Sequence, residues 1–388
     1  MKIAIVTTNF PRWQGDFRVP FIYEAARAIQ AKGHTVRVIT MHQPDAAEHE
    51  IMDGIEIIRA KYLPEKHEIL QKDAAGIPSA WERGFKDKMF MVPYFWHFWL
   101  AVAKHAKGFD IIHANFSLSG LAALLSTHSH KTPYVVTVQG SDVFKTINKP
   151  IIKLFIGKAL KKASKVIALS NSLAETTMQF GVPEKRIVIV PNGIDISKFP
   201  LGSYEKREKQ ILFVGSLIER KGVQYLLEAM IKITKSFQEY KLLIVGEGDQ
   251  KQHLIDYAKN HGISDCVHFL GTQSQLQVGE LMRNSKLLIL PSIEEGQGVV
   301  LVEALASGTP CIGSNVGGIP DVITSDVGYL FEPGDVDQLA DGILNFIKNE
   351  ERWKTASKNA RIRAIEHYDW NKLTDKLIQI YKASDHTK

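Results

Sequence analysis

Apolar residues fall in short runs along the whole chain, and the runs alternate with stretches of helical spacing. Residues 2–8 (KIAIVTT) form an Ile/Val-rich run of the kind that fills a strand buried on both faces. Residues 20–32 place apolar side chains at helical intervals and stop at Gly33, a C-terminal helix signal. Runs at 35–40, 110–114, 134–138, 165–169 and 186–190 repeat the strand pattern, with helical segments between them. This βαβ rhythm predicts a parallel sheet covered by helices on both faces. It starts again at 210–214 and 241–245, which end at Gly215 and Gly246, and continues through 266–270, 286–290 and 310–313.

The expected architecture is therefore α/β, with two Rossmann-like, doubly wound domains in tandem. The turn-rich stretch 192–203 separates them. That places an N-terminal domain at 1–195, a C-terminal domain at 196–367, and an amphipathic helix at 368–388 that would pack back on the N-terminal domain. Ligands of such sheets sit beyond the carboxyl ends of the strands. The strand-end loops, and a cleft between two facing domains, are where chemistry is expected.

Composition narrows the class. A chain of 388 residues suits two domains, and 45% hydrophobic with 23% charged residues excludes disorder, collagen-like repeats and coiled coil as the main state. Two cysteines, Cys266 and Cys311, exclude a disulfide scaffold and a Cys-rich zinc module. The chain opens on a strand with no signal-peptide pattern. Its longest apolar stretch, 89–103, falls short of the ~18 residues a membrane span needs and carries His97. A cytoplasmic protein is expected.

The net charge of +6 is uneven. Residues 1–195 hold 25 Lys and Arg against 17 Asp and Glu, and the remainder holds 23 against 25. A basic N-terminal half suits an anionic partner. Two segments there bear on a membrane surface. Residues 148–166 (NKPIIKLFIGKALKKASKV) read as a basic amphipathic helix, and residues 89–103 crowd aromatic rings. Each also fits an ordinary scaffold helix with one face on the sheet. No nucleic-acid motif accompanies the charge.

The segment 291–310 (PSIEEGQGVVLVEALASGTP) carries the strongest chemical signal. A strand ends at Leu290, a loop with Gly296 and Gly298 follows, and a helix begins near Val299. Glycines before a helix expose backbone N–H groups and the positive end of its dipole, which makes an anion site. Glu295 precedes that turn and Glu303 lies inside the helix, seven residues between them. After the strand ending at Gly215, Arg220 and Lys221 stand side by side before another helix. A guanidinium next to an ammonium suits a diphosphate. A solvated charge pair and a dipole-complementing acid account for the same residues taken singly.

Together these residues resemble the GT-B glycosyltransferases of family four, usually retaining enzymes that use nucleotide sugars. The Glu-x7-Glu spacing, the VIVPNGID of 188–195, the Lys-Gly of 221–222, the VGEG of 245–248, the FLG of 269–271 and the GGIPD of 317–321 carry the likeness. In the N-terminal half it is looser: Gly15–Asp16, His113–Asn115 and Gly140–Asp142 fall at familiar places. Three positions depart from the family pattern. Gln297 stands where Phe is usual, Ser216 where Arg is usual, and Gln139 where His is usual.

The resemblance implies roles. Glu303 would bind the ribose hydroxyls and Glu295 the transferred sugar. Arg220 and Lys221 would neutralise the leaving diphosphate, with Ser216 and the N–H groups of Gly298, Val299 and Val300 nearby. Leu270 and Gly271 would lie near the base, and Gly15 on the donor side of the N-terminal domain. His113, Gln139 and Asp142 are the acceptor-side candidates, and no general base is assigned. No HExxH spacing occurs, and neither metal nor cofactor is expected.

The reading is a metal-independent hexosyltransferase, UDP-sugar being the expected donor over GDP-sugar. The acceptor would be a saccharide or lipid-linked envelope glycan. A GT-B sugar-nucleotide epimerase and a non-catalytic basic binder of lipid or nucleic acid stand as alternatives.

Overall fold

β1 (Lys2–Thr7) is exposed only at Lys2 and buried from Ile3 onward, as a strand covered on both faces must be. The computed structural model describes residues 1–16, 19–70 and 85–385. The chain divides into two units, one of Met1–Pro191 with the segment from Leu373 onward, the other of Asn192–Lys372.

In the first unit, β1 is joined by β2 (Thr35–Met41), β3 (His49–Met52), β4 (Ile55–Ala60), β5 (Ile111–Asn115), β6 (Tyr134–Val138), β7 (Lys165–Ala168) and β8 (Ile187–Ile189). The order is β3-β4-β2-β1-β5-β6-β7-β8, parallel except for the β3–β4 hairpin. That hairpin turns at Asp53–Gly54, both with positive φ (49° and 78°), as a two-residue turn matched to strand twist requires. The periodicity reading had no strand here. β3 is a short edge strand with Ile51 exposed, and β4 alternates buried with half-buried positions, so neither has the continuous apolar run that marks the others.

Helix Ser117–His130 packs between helices Phe85–His105 and Pro150–Lys162. Tyr94, Phe98, Ala122, Ile156 and Leu160 from these helices meet Val136 of β6 in one core. The closing helix, Trp370–Asp385, also supplies this unit. Tyr381 reaches His113 of β5, and Lys376 donates 2.6 Å to the carbonyl of Ile189. The tail expected to extend this helix, 386–388, lies outside the described residues.

The second unit is a six-stranded parallel sheet: β9 (Glu208–Val214), β10 (Lys241–Val245), β11 (Val267–Gly271), β12 (Ser285–Leu290), β13 (Cys311–Ser314) and β14 (Gly328–Phe331). The order is β11-β10-β9-β12-β13-β14. Strand order reverses between β9 and β12 here, and between β1 and β5 in the first unit. Such reversals open a crevice at the carboxyl ends of the strands.

Arg207 locks this unit from behind. Its buried guanidinium donates to the carbonyls of Met282 (3.2 Å), Ser285 (2.7 Å), Ser307 (2.7 Å) and Gly308 (2.9 Å) and to Thr309 Oγ1 (2.6 Å). Burial lowers its pKa to about 10. These acceptors follow or end helices Gln275–Asn284 and Val299–Ala306, where a cation meets the negative end of each dipole. Arg361 adds a bond to the Ala306 carbonyl. The helix whose N-terminus faces the crevice is thereby fixed at its other end.

Candidate functional site

The loops after β9 and β12 flank the reversal and are tied to each other. The N–H of Ile293 donates 2.8 Å to the carbonyl of Arg220. Gly222, with φ 64°, sits where any Cβ would lie 2.0 Å from the carbonyl of Pro291, so only glycine admits this approach. The 3₁₀ turn Glu219–Lys221 just before it is thus held against the β12 loop.

That approach brings Lys221 Nζ to 2.5 Å from Glu295 Oε2, with side chains 15% and 14% exposed. The other Glu295 oxygen accepts 3.0 Å from the N–H of Gly296. Burial pushes the Glu295 carboxyl up. The Lys221 ammonium, the Arg220 guanidinium and the Gly296 N–H outweigh burial and hold it below the usual carboxylate range. Arg220 itself makes no side-chain hydrogen bond or ion pair among the described residues. The Glu295 backbone is gripped from the other side by Gly317, where a Cβ would lie 1.8 Å from the Glu295 carbonyl, and by the N–H of Gly318 at 3.2 Å.

Gly298, in the left-handed region, caps helix Val299–Ala306. The first-turn N–H groups of Val299 and Val300 have no intrahelical partner and stand at the positive end of the dipole. Glu303 lies half-buried on the same helix. Ser216 is exposed at the end of β9. Leu270 and Gly271 close β11 two strands away, where the Gly271 carbonyl accepts 2.9 Å from Gly246. All these second-unit candidates stand at the carboxyl edge of one sheet or on the helix that leaves it. Among the described residues the arrangement offers one unpaired guanidinium, one carboxylate-paired ammonium and a helix N-terminus, a set of charges that suits an anion.

Two family descriptions match the chain: "Glycosyl transferases group 1" over residues 194–363 and "Glycosyltransferase Family 4" over residues 20–198. N-acetyl-alpha-D-glucosaminyl L-malate synthase of Bacillus anthracis is 32% identical, over 73% of this chain and 77% of its own. The chain is a family-four glycosyltransferase. Its fold is GT-B. Sucrose-phosphate synthase of Thermosynechococcus elongatus superposes with a TM-score of 0.79 at 20% identity, covering 98% of both chains. The Anabaena protein HepE, solved with UDP-glucose, superposes with a TM-score of 0.77 at 18% identity, covering 99% of this chain and 100% of its own. The epimerase and non-catalytic alternatives give way to a transferase.

In the glycosyltransferase's first unit, the acceptor-side candidates divide. His113 is buried in β5 with both ring nitrogens engaged, Nε2 at 2.7 Å from Thr137 Oγ1 and Nδ1 at 2.7 Å from the Tyr381 hydroxyl. Burial lowers its pKa to about 4, so it is neutral and serves the framework. Asp142 is buried too. Its carboxylate accepts from the N–H groups of Ser117 (2.7 Å), Gln139 (3.0 Å) and Gly140 (3.0 Å) and so shapes the turn after β6. Burial raises its pKa, partly offset by those N–H groups.

Gln139 is half-exposed beyond β6 and donates 3.3 Å to Asn115 Oδ1. Gly15 is exposed in the loop after β1, one residue before a buried Asp16 that accepts from the Arg12 backbone and side chain.

Two features escaped the sequence reading. Gln297 is buried and bonded to the backbone of Asn192, a pairing with no local pattern. The second is an Asp-x-Asp spacing, Asp335–Asp337, of the kind that can hold a metal in glycosyltransferases and that the sequence reading passed over. Asp335 caps helix Val336–Lys348 by accepting from Gln338, and Asp337 pairs with Lys232, so both carboxylates are occupied structurally.

Proposed function

We propose that this glycosyltransferase moves a hexose-type sugar from UDP to a saccharide or lipid-linked acceptor, with retention of anomeric configuration and without a metal. The observation that carries the proposal is the pair Lys221–Glu295 beside Arg220, at the mouth of helix Val299–Ala306. Breaking a sugar–diphosphate bond builds negative charge on the leaving oxygen. Two cations and a helix N-terminus placed there act more strongly on the transition state than on the ground state.

In this reading Arg220, Lys221 and the N–H groups of Gly298, Val299 and Val300 take the diphosphate, with Ser216 beside them. Glu303 takes the ribose hydroxyls, Glu295 the sugar hydroxyls, and Leu270 and Gly271 the base. No residue acts as general base, since His113 and Asp142 are spent on the framework, and the leaving phosphate would take the acceptor proton. UDP is favoured by the likeness to HepE, which was solved with UDP-glucose.

The acceptor reading gains from two helices of the first unit. Phe85–His105 exposes Met89, Val92, Trp96 and Leu100 at helical spacing, and Pro150–Lys162 exposes Ile151, Leu154 and Phe155. Lys158, Lys161 and Lys162 on the second helix are exposed as well. No described helix is long and apolar enough to cross a membrane. Apolar side chains among lysines fit the surface of an anionic bilayer, the source of a lipid-linked acceptor.

The test is incubation with a panel of UDP- and GDP-sugars and lipid extract, measuring nucleoside diphosphate release. Acceptor-dependent release of UDP is expected. Folded protein that releases no diphosphate from any donor overturns the assignment.

A further inference from the structure

The donor loop 291–298 is fastened to the place where the chain enters the second unit. Gln297, 3% exposed, accepts 2.7 Å from the N–H of Asn192 through Oε1 and donates 2.9 Å to the carbonyl of Asn192 through Nε2. The side-chain amide thus stands in for a strand neighbour and satisfies both polar groups of a buried peptide position. An apolar side chain at 297 would remove both of these bonds.

Asn192 opens the second unit, and the chain leaves that unit again after Lys372. The two crossings are stitched together close by. Ile194 donates 2.9 Å to the carbonyl of Tyr368 and accepts 3.2 Å from the N–H of Trp370. The Tyr368 hydroxyl in turn donates 2.9 Å to the carbonyl of Asp321. Asp321 lies in the short helix Ile319–Val322, directly after Gly318, whose N–H holds the carbonyl of Glu295. A closed ring results, running from Glu295 through Gly318, Asp321, Tyr368, Ile194 and Asn192 to Gln297. It joins the donor loop to both crossing segments, and Gln297 supplies the one link made by a side-chain amide.

We propose that Gln297 is a positioning residue that transmits occupancy of the donor loop to the two segments by which the chain crosses between units. The proposal rests on the diphosphate reading of that loop, since UDP is the probe. A ligand that orders the loop orders Gln297, and with it the backbone of Asn192 and Ile194. Gln297 touches no reacting atom in this scheme, so its loss acts on the coupling and leaves the phosphate contacts in place.

Amide hydrogen exchange of the full chain, with and without UDP, reads this directly. In the unaltered protein, UDP should slow exchange in peptides covering 188–198 and 366–374 several-fold. Gln297→Met, close in volume but without the amide, should bind UDP within about threefold of the unaltered protein. It should lose most of that UDP-induced slowing in 188–198, while 366–374, still tied through Gly318, Asp321 and Tyr368, keeps more of it.

Equal slowing in the variant overturns the role of Gln297. Absence of slowing in the unaltered protein, with UDP bound, overturns the coupling. Failure of the unaltered protein to bind UDP overturns the donor reading instead, so the two failures are distinct. Should Gln297→Met not melt cooperatively, Gln297→Glu, read at saturating UDP, keeps the acceptor, removes the donor and adds a carboxylate charge. UDP-induced slowing at 188–198 should then fall by at least about half, and undiminished slowing counts against the proposal.

Discussion

Lys221 and Glu295, separated by 74 positions, hold each other at 2.5 Å. Each is assigned to a different part of the donor, the ammonium to the diphosphate and the carboxylate to the sugar. Under the proposed function, a diphosphate taken by Lys221 must compete with that carboxylate. A nucleoside diphosphate without a sugar gains nothing in displacing it.

Glu295→Gln should then have opposite effects on binding and turnover. UDP affinity should rise about three- to tenfold, because the neutral amide competes less for Lys221, a change of about 0.7–1.4 kcal/mol and so a fraction of the ~1.5–3 kcal/mol of a charged hydrogen bond. Turnover of the sugar donor should fall by roughly 10²-fold, as when one transition-state contact is lost. Calorimetry with UDP and a diphosphate-release assay measure the two. A fall in UDP affinity on this substitution sinks the displacement account.

The same pair gives a pH signature. The folded Glu295 pKa lies below its unfolded value, so the pair stabilises the protein above the unfolded carboxylate range, and that stability is lost as pH falls through the lower, folded value. The melting-temperature gap between the unaltered protein and Glu295→Gln should shrink as pH drops below about 4.3. A gap that stays constant down to acid denaturation argues against a native ion pair.

Lys221→Met should reduce turnover by roughly 10²–10³-fold, the scale of losing one preorganised charge at a leaving group. It also leaves the Glu295 carboxylate enclosed with Arg220 as its remaining cation. The Glu295 pKa should therefore move up toward or past the ordinary carboxylate value. A pH–rate profile with a new acidic limb in the variant checks this. A variant with full turnover places the diphosphate elsewhere.

His113 answers a different question, namely whether the first unit's buried polar residues are chemical or structural. Its folded pKa of about 4 lies below the ~6.5 of an unfolded histidine. The unfolded chain therefore binds more protons between those values, and stability should decline as pH falls from about 6.5 to about 4. Tyr381→Phe leaves His113 Nδ1 unpaired in the core and should cost about 1–3 kcal/mol in denaturant unfolding. Turnover of the folded fraction should stay within about twofold. A large loss of turnover at unchanged stability would restore His113 to the reaction.

Most of both sheets was legible because parallel strands buried on both faces write themselves as continuous apolar runs, as 2–8 and 286–290 do. β3, β4 and β14 were not. β3 and β14 are four-residue edge strands, and β4 alternates buried and half-buried positions where inner strands such as β5 and β6 are buried throughout. The loops proposed to hold the donor were legible as loops at strand ends because their residues sit in local strand–glycine–helix patterns. What those residues do to one another was not. Lys221 meets Glu295 across 74 positions, Gln297 meets Asn192 across 105, and His113 meets Tyr381 across 268. Long-range pairing leaves no periodic trace. Gln297 did stand out as a departure from the family pattern, and burying its amide against a backbone peptide is the physical content of that departure.

The exposed faces of helices Phe85–His105 and Pro150–Lys162 make the final prediction. Both helices bury one side in the same core, through Tyr94 and Phe98 on the first and Ile156 and Leu160 on the second. Core packing therefore does not explain Ile151, Leu154 and Phe155, which are 74%, 69% and 53% exposed. Inserted at a bilayer interface, three such side chains would remove several hundred Å² of apolar surface from water, worth several kcal/mol at roughly 25 cal/mol per Å². The neighbouring lysines would add about 1 kcal/mol each on an anionic surface.

The triple change Ile151→Ser, Leu154→Ser, Phe155→Ser should abolish co-flotation with phosphatidylglycerol vesicles while leaving diphosphate release from a soluble acceptor unchanged. Charge reversal at Lys158, Lys161 and Lys162 should weaken binding to phosphatidylglycerol and not to phosphatidylcholine. The unaltered protein should itself bind phosphatidylcholine far less, and its binding to phosphatidylglycerol should fall as salt rises. Equal flotation of the unaltered protein and the triple variant would show that these side chains face something other than lipid.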